Sequence, residues 1–124
     1  MARRKTDKGL NFGALRLGIE RCDADLLIDL YAEDARLSIV NAAAPYAAPF
    51  ELRGKVEIVK HLRVIFAPET SHRVEREAAS DGDRTTFWEA CEYPDGGRVR
   101  VETTLEVHDG KIVRQVDVVR DSFA

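Results

Sequence analysis

The sequence is poor in the residues that build metal centres and disulfide frameworks. Its 124 residues include two cysteines, Cys22 and Cys91, and three histidines, His61, His72 and His108. The cysteine spacing matches no zinc motif, and the histidines are scattered along the chain. In a reducing compartment both cysteines stay as thiols. We therefore expect a chain without a metal site, a cofactor or a disulfide.

An excess of basic charge and a long apolar run are also missing. The formal net charge is -3, whereas nucleic acids and anionic membranes are bound by basic faces. No apolar stretch approaches the length of about 20 residues that a membrane-spanning helix needs. We therefore expect neither nucleic acid nor a membrane as a partner, and a cytoplasmic location.

The basic residues near the start form one small cluster, Arg3, Arg4, Lys5 and Lys8. No apolar stretch follows the cluster, so it does not resemble a signal peptide. We interpret residues 1–9 as a disordered, solvated basic N-terminus. The remaining length is typical of one domain with its own core, which we place at residues 10–124.

The first half of the chain has helical periodicity. An apolar stripe at helical spacing predicts a first helix: Phe12, Leu15, Ile19 and Cys22. Asp23 or Asp25 caps a second helix that ends near residues 33–34, which places Tyr31 at a helix end. Short strands follow at 36–40 and 50–53, separated by a loop rich in alanine and proline. Gly54 opens a third helix, which Pro68 ends.

The second half predicts strands. Asp-Gly pairs begin at Asp81, Asp95 and Asp109, each 14 residues after the last, and such pairs favour hairpin turns. The segments between them are rich in β-branched and aromatic residues, which indicates a four-stranded antiparallel meander over residues 71–120. The predicted fold class is α+β, with three N-terminal helices packed on one face of a curved antiparallel sheet.

Strand alternation predicts which side chains face the helices. A three-residue loop ending at Gly110 pairs Val107 with Lys111 and Val101 with Asp117. The corresponding loop ending at Gly96 pairs Glu89 with Val101. With these registers, seven residues of the meander that bear on a site face inward: His72, Arg76, Phe87, Glu89, Thr103, Gln115 and Asp117. Val113 also faces inward and Ile112 outward.

Two of these inward residues are carboxylates on strands that flank Val101, so their backbones lie about 10 Å apart. Burial among apolar neighbours raises the pKa of a carboxyl group, which is how a general acid or base is prepared for use near neutral pH. Asp117 and Glu89 are therefore the candidate catalytic residues. An equally weighted alternative is that Arg76 and Glu89 form a structural ion pair.

The other inward polar residues are candidates for substrate binding, and each has a structural alternative. Thr103 is a common β-former, and Gln115 can anchor a buried water. His72 near a strand start is often a partly exposed structural residue. Tyr31 joins the candidates, although a tyrosine there is usually part of the core with its hydroxyl satisfied.

The outer face of the predicted sheet carries an apolar patch with a tryptophan and an arginine rim. Trp88, Val116 and Val118 form the patch, and Arg114 and Arg120 lie beside it. Exposed apolar patches of this kind are typical of protein interfaces. We therefore expect a homodimer that packs through the backs of the two sheets.

Three short motifs resemble a known superfamily. They are Leu30-Tyr31-Ala32-Glu33-Asp34-Ala35 at the end of a helix, Leu52-Arg53-Gly54 before a helix, and His108-Asp109-Gly110-Lys111-Ile112-Val113 before a last strand. Together they resemble the SnoaL-like and ketosteroid isomerase-like branches of the nuclear transport factor 2 superfamily, over roughly residues 10 to 120. The resemblance implies a cone-shaped, cystatin-like α+β barrel with a pocket for a small molecule. One fold of this kind hosts many functions.

Residue by residue, the resemblance favours one branch over the other. The isomerase's general-base aspartate corresponds to Ile39 and its oxyanion-binding tyrosine to Leu15, so steroid isomerisation by that mechanism is not expected. Its second oxyanion acid corresponds to Thr103, and only Tyr31 matches a pocket tyrosine. The acid/base aspartate of the SnoaL-like cyclases matches Asp117, but their pocket histidine corresponds to Thr103. The Asp-Arg-Asp set of epoxide-hydrolase relatives has a match only at Asp117.

Two functions remain open from the sequence. One is a cofactor-free enzyme of the isomerase, cyclase or hydratase type, in which Asp117 transfers protons on a small apolar substrate. Glu89 and Thr103 would assist, and Arg76 or His72 would stabilise an oxyanion. The other is a non-catalytic ligand-binding or dimerisation module of the same fold, in which the polar groups pair with one another.

Overall fold

The computed structural model describes residues 9–44, 46–75, 79–81 and 83–121. It is an α+β fold whose elements run in the order α1 Phe12–Glu20, α2 Ala24–Ile28, β1 Tyr31–Asn41, β2 Phe50–Arg53, α3 Lys55–Ile65, β3 Ser71–Val74, β4 Ala79–Asp81, β5 Arg84–Glu92, β6 Arg98–His108 and β7 Lys111–Asp121. The predicted disordered segment lies outside the described residues except for Gly9.

The first two helices each begin after a residue whose side chain caps the helix N-terminus. The Asn11 side chain accepts from the Ala14 N–H at 3.0 Å, and Asp23 accepts from the N–H groups of Asp25 and Leu26 at 3.0 and 3.4 Å. These bonds satisfy donors that a helix start leaves without partners. Of the two predicted caps of α2, Asp23 is the one that the structure shows.

The predicted end of the second helix is wrong. Helix α2 ends at Ile28, and Tyr31 lies at the start of β1 instead of at a helix end. The cause is a long-range pairing, because the Ile112 N–H donates to the Leu30 carbonyl at 2.8 Å and Tyr31 is aligned with Ile112. This pairing with β7 outweighs the local helix propensity of the leucine-rich segment.

The sheet is mixed and not purely antiparallel as predicted. Its strand order is β2-β1-β7-β6-β5-β3, with β4 also paired to β5. Strand β1 runs parallel to β7, whereas β5, β6 and β7 form the predicted antiparallel meander. The predicted first strand of that meander is divided into β3 and β4. Helix α3 follows β1 and β2, so two strands come between the second and third helices.

The registers decide which side chains face the helices. The predicted pairing of Glu89 with Val101 is confirmed. The pairing of Val101 with Asp117 is wrong, because Asp117 pairs with Thr103. Asp109 and Gly110 both have positive φ, at 52° and 77°, which fits a two-residue turn in place of the predicted three-residue loop.

Despite the different β6–β7 register, Gln115 and Asp117 face the helices as predicted. The pairing differs by two residues from the predicted one, and strand alternation has a period of two. Near the turn, a register irregularity lies between Glu106 and Val107. It reverses the predicted orientations of Ile112 and Val113 on β7. Ile112 is consequently buried in the core, not exposed on the outer face, and Val113 is not one of the buried core residues.

The core lies between the helices and the inner face of the sheet. It is built mainly from α1, α2 and α3 residues packed against strand residues: Leu15, Ile19, Leu27, Ile58, Val59, Leu62, Leu37, Val74, Phe87, Leu105, Val107 and Ile112. In the described part of the chain, no helix has both the length and the apolar character that crossing a membrane requires.

The predicted outer patch lies on one face of the central strands. Trp88 is aligned through Glu102 with Val118, and Val116 is aligned with Thr104 on the same face. The guanidinium group of Arg100 lies 5.0 Å from the centre of the Trp88 ring, a cation–π contact. Arg100 also bonds to Glu75 at 2.9 Å.

Helices α1 and α2 approach each other closely at Gly18. A Cβ atom added there would lie 2.4 Å from Leu27 Cδ2 and 2.8 Å from Leu27 Cγ, and Leu27 is fully buried. We expect Gly18→Ala to lower the free energy of unfolding by about 1 to 3 kcal/mol, the usual cost of overpacking, as measured by urea denaturation.

Gly13 in the same helix is the matched control, because its added Cβ meets only the Asn11 side chain at 3.6 Å. We expect Gly13→Ala to raise the free energy of unfolding by roughly 0.5 to 1 kcal/mol, since alanine restricts the unfolded chain more than glycine does. Equal effects of the two substitutions would contradict the close approach of the two helices.

Candidate functional site

A small cavity lies between the helices and the inner face of the sheet. Its volume is about 30 Å³, which is room for one or two water molecules. Four of its lining residues carry polar side chains: Tyr31, Glu89, Gln115 and Asp117. Its apolar walls come from all three helices and from two strands: Leu15, Ile19, Leu27, Leu62, Ile65, Phe66, Phe87 and Leu105.

The strand registers bring the polar residues of β7 to this cavity. Gln115 is aligned with Leu37 on β1 and Leu105 on β6, and Asp117 is aligned with Ile39 and Thr103. Both therefore project from a central strand of the sheet, and each has an apolar neighbour on β1. Burial of a carboxyl group among such neighbours is costly unless hydrogen bonds or protonation compensate.

Hydrogen bonds hold one oxygen of the Asp117 carboxyl group. The Tyr31 hydroxyl donates to Gln115 Oε1 at 2.6 Å, which fixes the orientation of the amide group. Gln115 Nε2 then donates to Asp117 Oδ1 at 2.9 Å, and the Thr103 hydroxyl donates to the same oxygen at 3.0 Å. Within residues 9–44, 46–75, 79–81 and 83–121, no hydrogen bond reaches Oδ2.

The surroundings of Asp117 raise its pKa from 3.8 to about 7. Desolvation is the largest cause, and the negative charge of Glu89 adds to it, whereas the bonds from Gln115 and Thr103 oppose it. A carboxyl group with such a pKa is present in both protonation states near neutral pH, which suits proton transfer in either direction. The same surroundings strongly raise the pKa of the Tyr31 hydroxyl, chiefly through burial.

Glu89 belongs to a second polar network. His72 Nδ1 lies 2.6 Å from Glu89 Oε2, and the Cys91 thiol donates to the same oxygen at 3.4 Å. His72 Nε2 lies 3.1 Å from the Ile65 carbonyl oxygen. A carbonyl only accepts hydrogen bonds, so Nε2 carries a hydrogen. A further proton then lies between Nδ1 and Oε2, because two bare lone pairs at that distance would repel each other.

Aromatic rings enclose the imidazole of this second network. The His72 ring centre lies 5.0 Å from that of Phe66 and 6.4 Å from that of Tyr93, both in edge-on arrangements. His72 and Cys91 are each 3% exposed. The expectation of a partly exposed His72 is therefore wrong. Burial, together with the charge of Glu89, strongly raises the pKa of the Cys91 thiol, which stays protonated.

Six of the eight predicted site residues fall into two hydrogen-bonded groups. Tyr31, Thr103, Gln115 and Asp117 are joined in one network, and His72 and Glu89 in the other. Phe87 forms a cavity wall and packs edge-on against Phe12, with ring centres 5.4 Å apart. Arg76, the predicted partner of Glu89 or of a substrate, lies outside the described residues.

Two contributors were not predicted. Cys91 was expected only to stay a thiol, and its position two residues after Glu89 on the same strand face was the available signal. The Ile65 carbonyl that orients His72 has no sequence signal, because it is a backbone group at the end of α3.

The raised pKa of Asp117 makes stability depend on pH. Between its unfolded value of 3.8 and its folded value of about 7, the folded state binds more protons, so the free energy of unfolding falls as pH rises. We expect Asp117→Asn to become more stable relative to wild type by about 2 to 3 kcal/mol between pH 5 and pH 9. Urea denaturation at both pH values tests this, and a difference independent of pH would contradict it.

Comparisons with known proteins agree on the architecture. The SnoaL-like domain family model matches residues 14–115. An NTF2-like protein of unknown function from Mesorhizobium loti superposes with a TM-score of 0.76 at 24% identity, covering 88% of this chain and 87% of that one. A putative ketosteroid isomerase from Kribbella flavida superposes with a TM-score of 0.74 at 18% identity, covering 91% and 77%.

Enzymes with other described activities share the fold. An LEH-like epoxide hydrolase from M. tuberculosis superposes with a TM-score of 0.63 at 21% identity, covering 88% of this chain and 79% of that one. Among curated proteins, none matches this sequence. Identities this low show the fold and not the chemistry. The family model spans most of the chain, and the chain therefore belongs to the SnoaL-like domain family.

Proposed function

We propose that this protein is a cofactor-free enzyme that transfers protons on a small apolar substrate, in a reaction of the isomerase, cyclase or hydratase type. The observation that carries the proposal is the state of Asp117. It is a carboxyl group in an apolar cavity with a pKa of about 7 and one oxygen without a hydrogen bond from the described residues.

The two carboxyl oxygens of Asp117 have different roles in this proposal, one in holding the group and one in proton transfer. Oδ1 accepts from Gln115 and Thr103, and Gln115 is held in turn by Tyr31. The carboxyl group is therefore fixed in orientation, while Oδ2 remains available to accept or deliver a proton. A fixed orientation removes part of the entropic cost of reaching the reactive geometry. Tyr31, Gln115 and Thr103 act in this proposal as positioning residues.

Glu89 contributes to the proposal through its charge. It lines the same cavity as Asp117, and its charge raises the pKa of Asp117. This interaction opposes a second negative charge in the cavity and so favours the protonated acid. His72 contacts Glu89 with one ring nitrogen and the Ile65 carbonyl with the other, so its role here is to hold Glu89 and not to contact an oxyanion.

The cavity restricts the substrate. Its walls are leucine, isoleucine and phenylalanine side chains, which favour an apolar molecule. A volume of about 30 Å³ admits water but no organic substrate, so binding requires the wall to move. Ile65 and Phe66 at the end of α3 are only partly buried, and in this proposal their displacement enlarges the cavity.

The alternative function is non-catalytic binding or dimerisation, and the small cavity volume is the observation that favours it. If the walls do not open, the polar groups only form hydrogen bonds with one another and do not contact a substrate.

Three of the solved proteins that share this fold are described as enzymes, namely a putative ketosteroid isomerase, an LEH-like epoxide hydrolase and a putative polyketide cyclase from Sinorhizobium meliloti. Each resembles this chain in fold alone, so the proposal of proton transfer rests on Asp117 and its surroundings.

A proton-exchange assay tests the proposal without knowledge of the natural substrate. Small apolar ketones are incubated with the protein in deuterated buffer, and the loss of their α-protons is followed by NMR. We expect the wild type to accelerate exchange and Asp117→Asn to reduce the acceleration by roughly 10² to 10⁴-fold, the usual contribution of a general base.

Asp34→Asn is the matched control for this assay, because Asp34 is an exposed aspartate on β1. It should leave the exchange rate unchanged. Full activity of Asp117→Asn would exclude Asp117 as the proton carrier. The pKa of the Asp117 carboxyl group can be measured by carbon NMR of the labelled protein. A measured pKa near 4 would favour the binding module.

We also propose that two copies associate through the outer face of the sheet, where Trp88, Val116 and Val118 lie beside Arg114 and Arg120. Trp88→Glu replaces the largest side chain of this patch with a charged one, so we expect it to convert a dimer into a monomer. Sedimentation measures the mass, with Val64→Glu as a control on an exposed position of α3. A dimer that persists in Trp88→Glu would refute this interface.

A further inference from the structure

Three potential metal ligands meet beside the cavity, on strands β3 and β5. His72 is directly opposite Cys91 in the antiparallel register, and Glu89 precedes Cys91 by two residues on the same face. Directly opposite residues and second neighbours on one strand are the closest pairs that a sheet provides. The sheet therefore brings an imidazole, a carboxylate and a thiol together without any local sequence motif.

The ligand atoms converge on one point. His72 Nδ1, a carboxylate oxygen of Glu89 and Cys91 Sγ all lie within 4.8 Å of one another. Glu89 Oε2 lies 2.6 Å from the imidazole nitrogen and 3.4 Å from the sulfur. Around a tetrahedral zinc ion, such atoms lie roughly 3.3 to 3.6 Å apart, given metal–ligand bonds of about 2.0 to 2.3 Å. Binding needs a shift of less than about 1 Å between Nδ1 and Oε2.

The orientation of His72 is the one that metal sites use. Its Nε2–H donates to the Ile65 carbonyl oxygen at 3.1 Å, so Nδ1 is directed at Glu89 and Cys91. Histidines that bind metals commonly donate their second ring N–H to a backbone carbonyl or carboxylate, which fixes the tautomer. Phe66 and Tyr93 flank the ring edge-on and hold it in place.

We infer that His72, Glu89 and Cys91 form a binding site for a zinc-type divalent ion, with an open fourth position. Imidazole and thiolate together select zinc over magnesium or calcium, and three protein ligands are the number that leaves one position for water or another ligand. The ion replaces two protons, the one shared by His72 and Glu89 and the one on the Cys91 sulfur, and both pass to solvent. The two negative ligands then balance the charge of the ion.

Glu89 is the member of the cluster that also lines the cavity. An ion held there would therefore lie beside the cavity that contains Asp117. The site shares Glu89 with the proton-transfer proposal. Asp117, the proton carrier of that proposal, is not one of its ligands, and the ion can be detected without any turnover.

Cobalt binding tests the site directly. The purified, reduced full chain is titrated with Co²⁺, and the absorption spectrum is recorded. We expect a thiolate-to-cobalt charge-transfer band, which equimolar Zn²⁺ removes by competition. Cys91→Ser should abolish the band. It should also weaken Zn²⁺ binding, measured by equilibrium dialysis, by at least about a hundredfold, because even the loss of a residue that only supports a metal ligand weakens binding by about 10- to 100-fold.

Cys22→Ser is the matched control, since the Cys22 thiol contacts the Thr70 carbonyl at 3.8 Å and is not part of the cluster. It should keep the band. If Cys91→Ser does not fold, Glu89→Gln provides the same test with a nearly isosteric side chain and should weaken Zn²⁺ binding. Absence of the band in the wild type, or its persistence in folded Cys91→Ser, overturns the site.

Discussion

The parallel pairing of β1 with β7 is the contact on which the rest of the candidate site depends. It ends α2 at Ile28, draws Tyr31 into the sheet and aligns Ile39 with Asp117. The Tyr31 hydroxyl reaches Gln115 only because of this alignment. The pairing also covers one side of β7, so the Asp117 carboxyl lies among apolar neighbours and acquires a pKa of about 7.

Two polar networks meet at one apolar cavity, and each holds a carboxyl group by one oxygen. The network around Asp117 uses Oδ1 and leaves Oδ2 without a hydrogen bond from the described residues. The network around Glu89 uses Oε2, which contacts His72 and Cys91, and the other ring nitrogen of His72 contacts the Ile65 carbonyl. A buried polar group retained without full satisfaction is costly, and burial raises the pKa of Asp117 to about 7, which directs attention to Asp117 as the reacting group.

Strand alternation allowed much of the site to be predicted from the sequence. Asp117, Gln115 and Thr103 face the helices as expected, because the register error on β7 was an even number of residues. Ile112 could not be placed, since an irregularity near the turn reverses its face. The cluster of His72 with Cys91 was missed because cross-strand register, which no local motif records, brings them together.

The single tryptophan of the chain lies on the side of the sheet opposite the cavity. Trp88 packs under Arg100, while Phe87 and Glu89 on either side of it line the cavity. The intrinsic fluorescence of the protein therefore reports the environment of the outer face. A molecule that enters the cavity is separated from the indole by the sheet, so a strong spectral change on mixing marks an event at the back of the sheet.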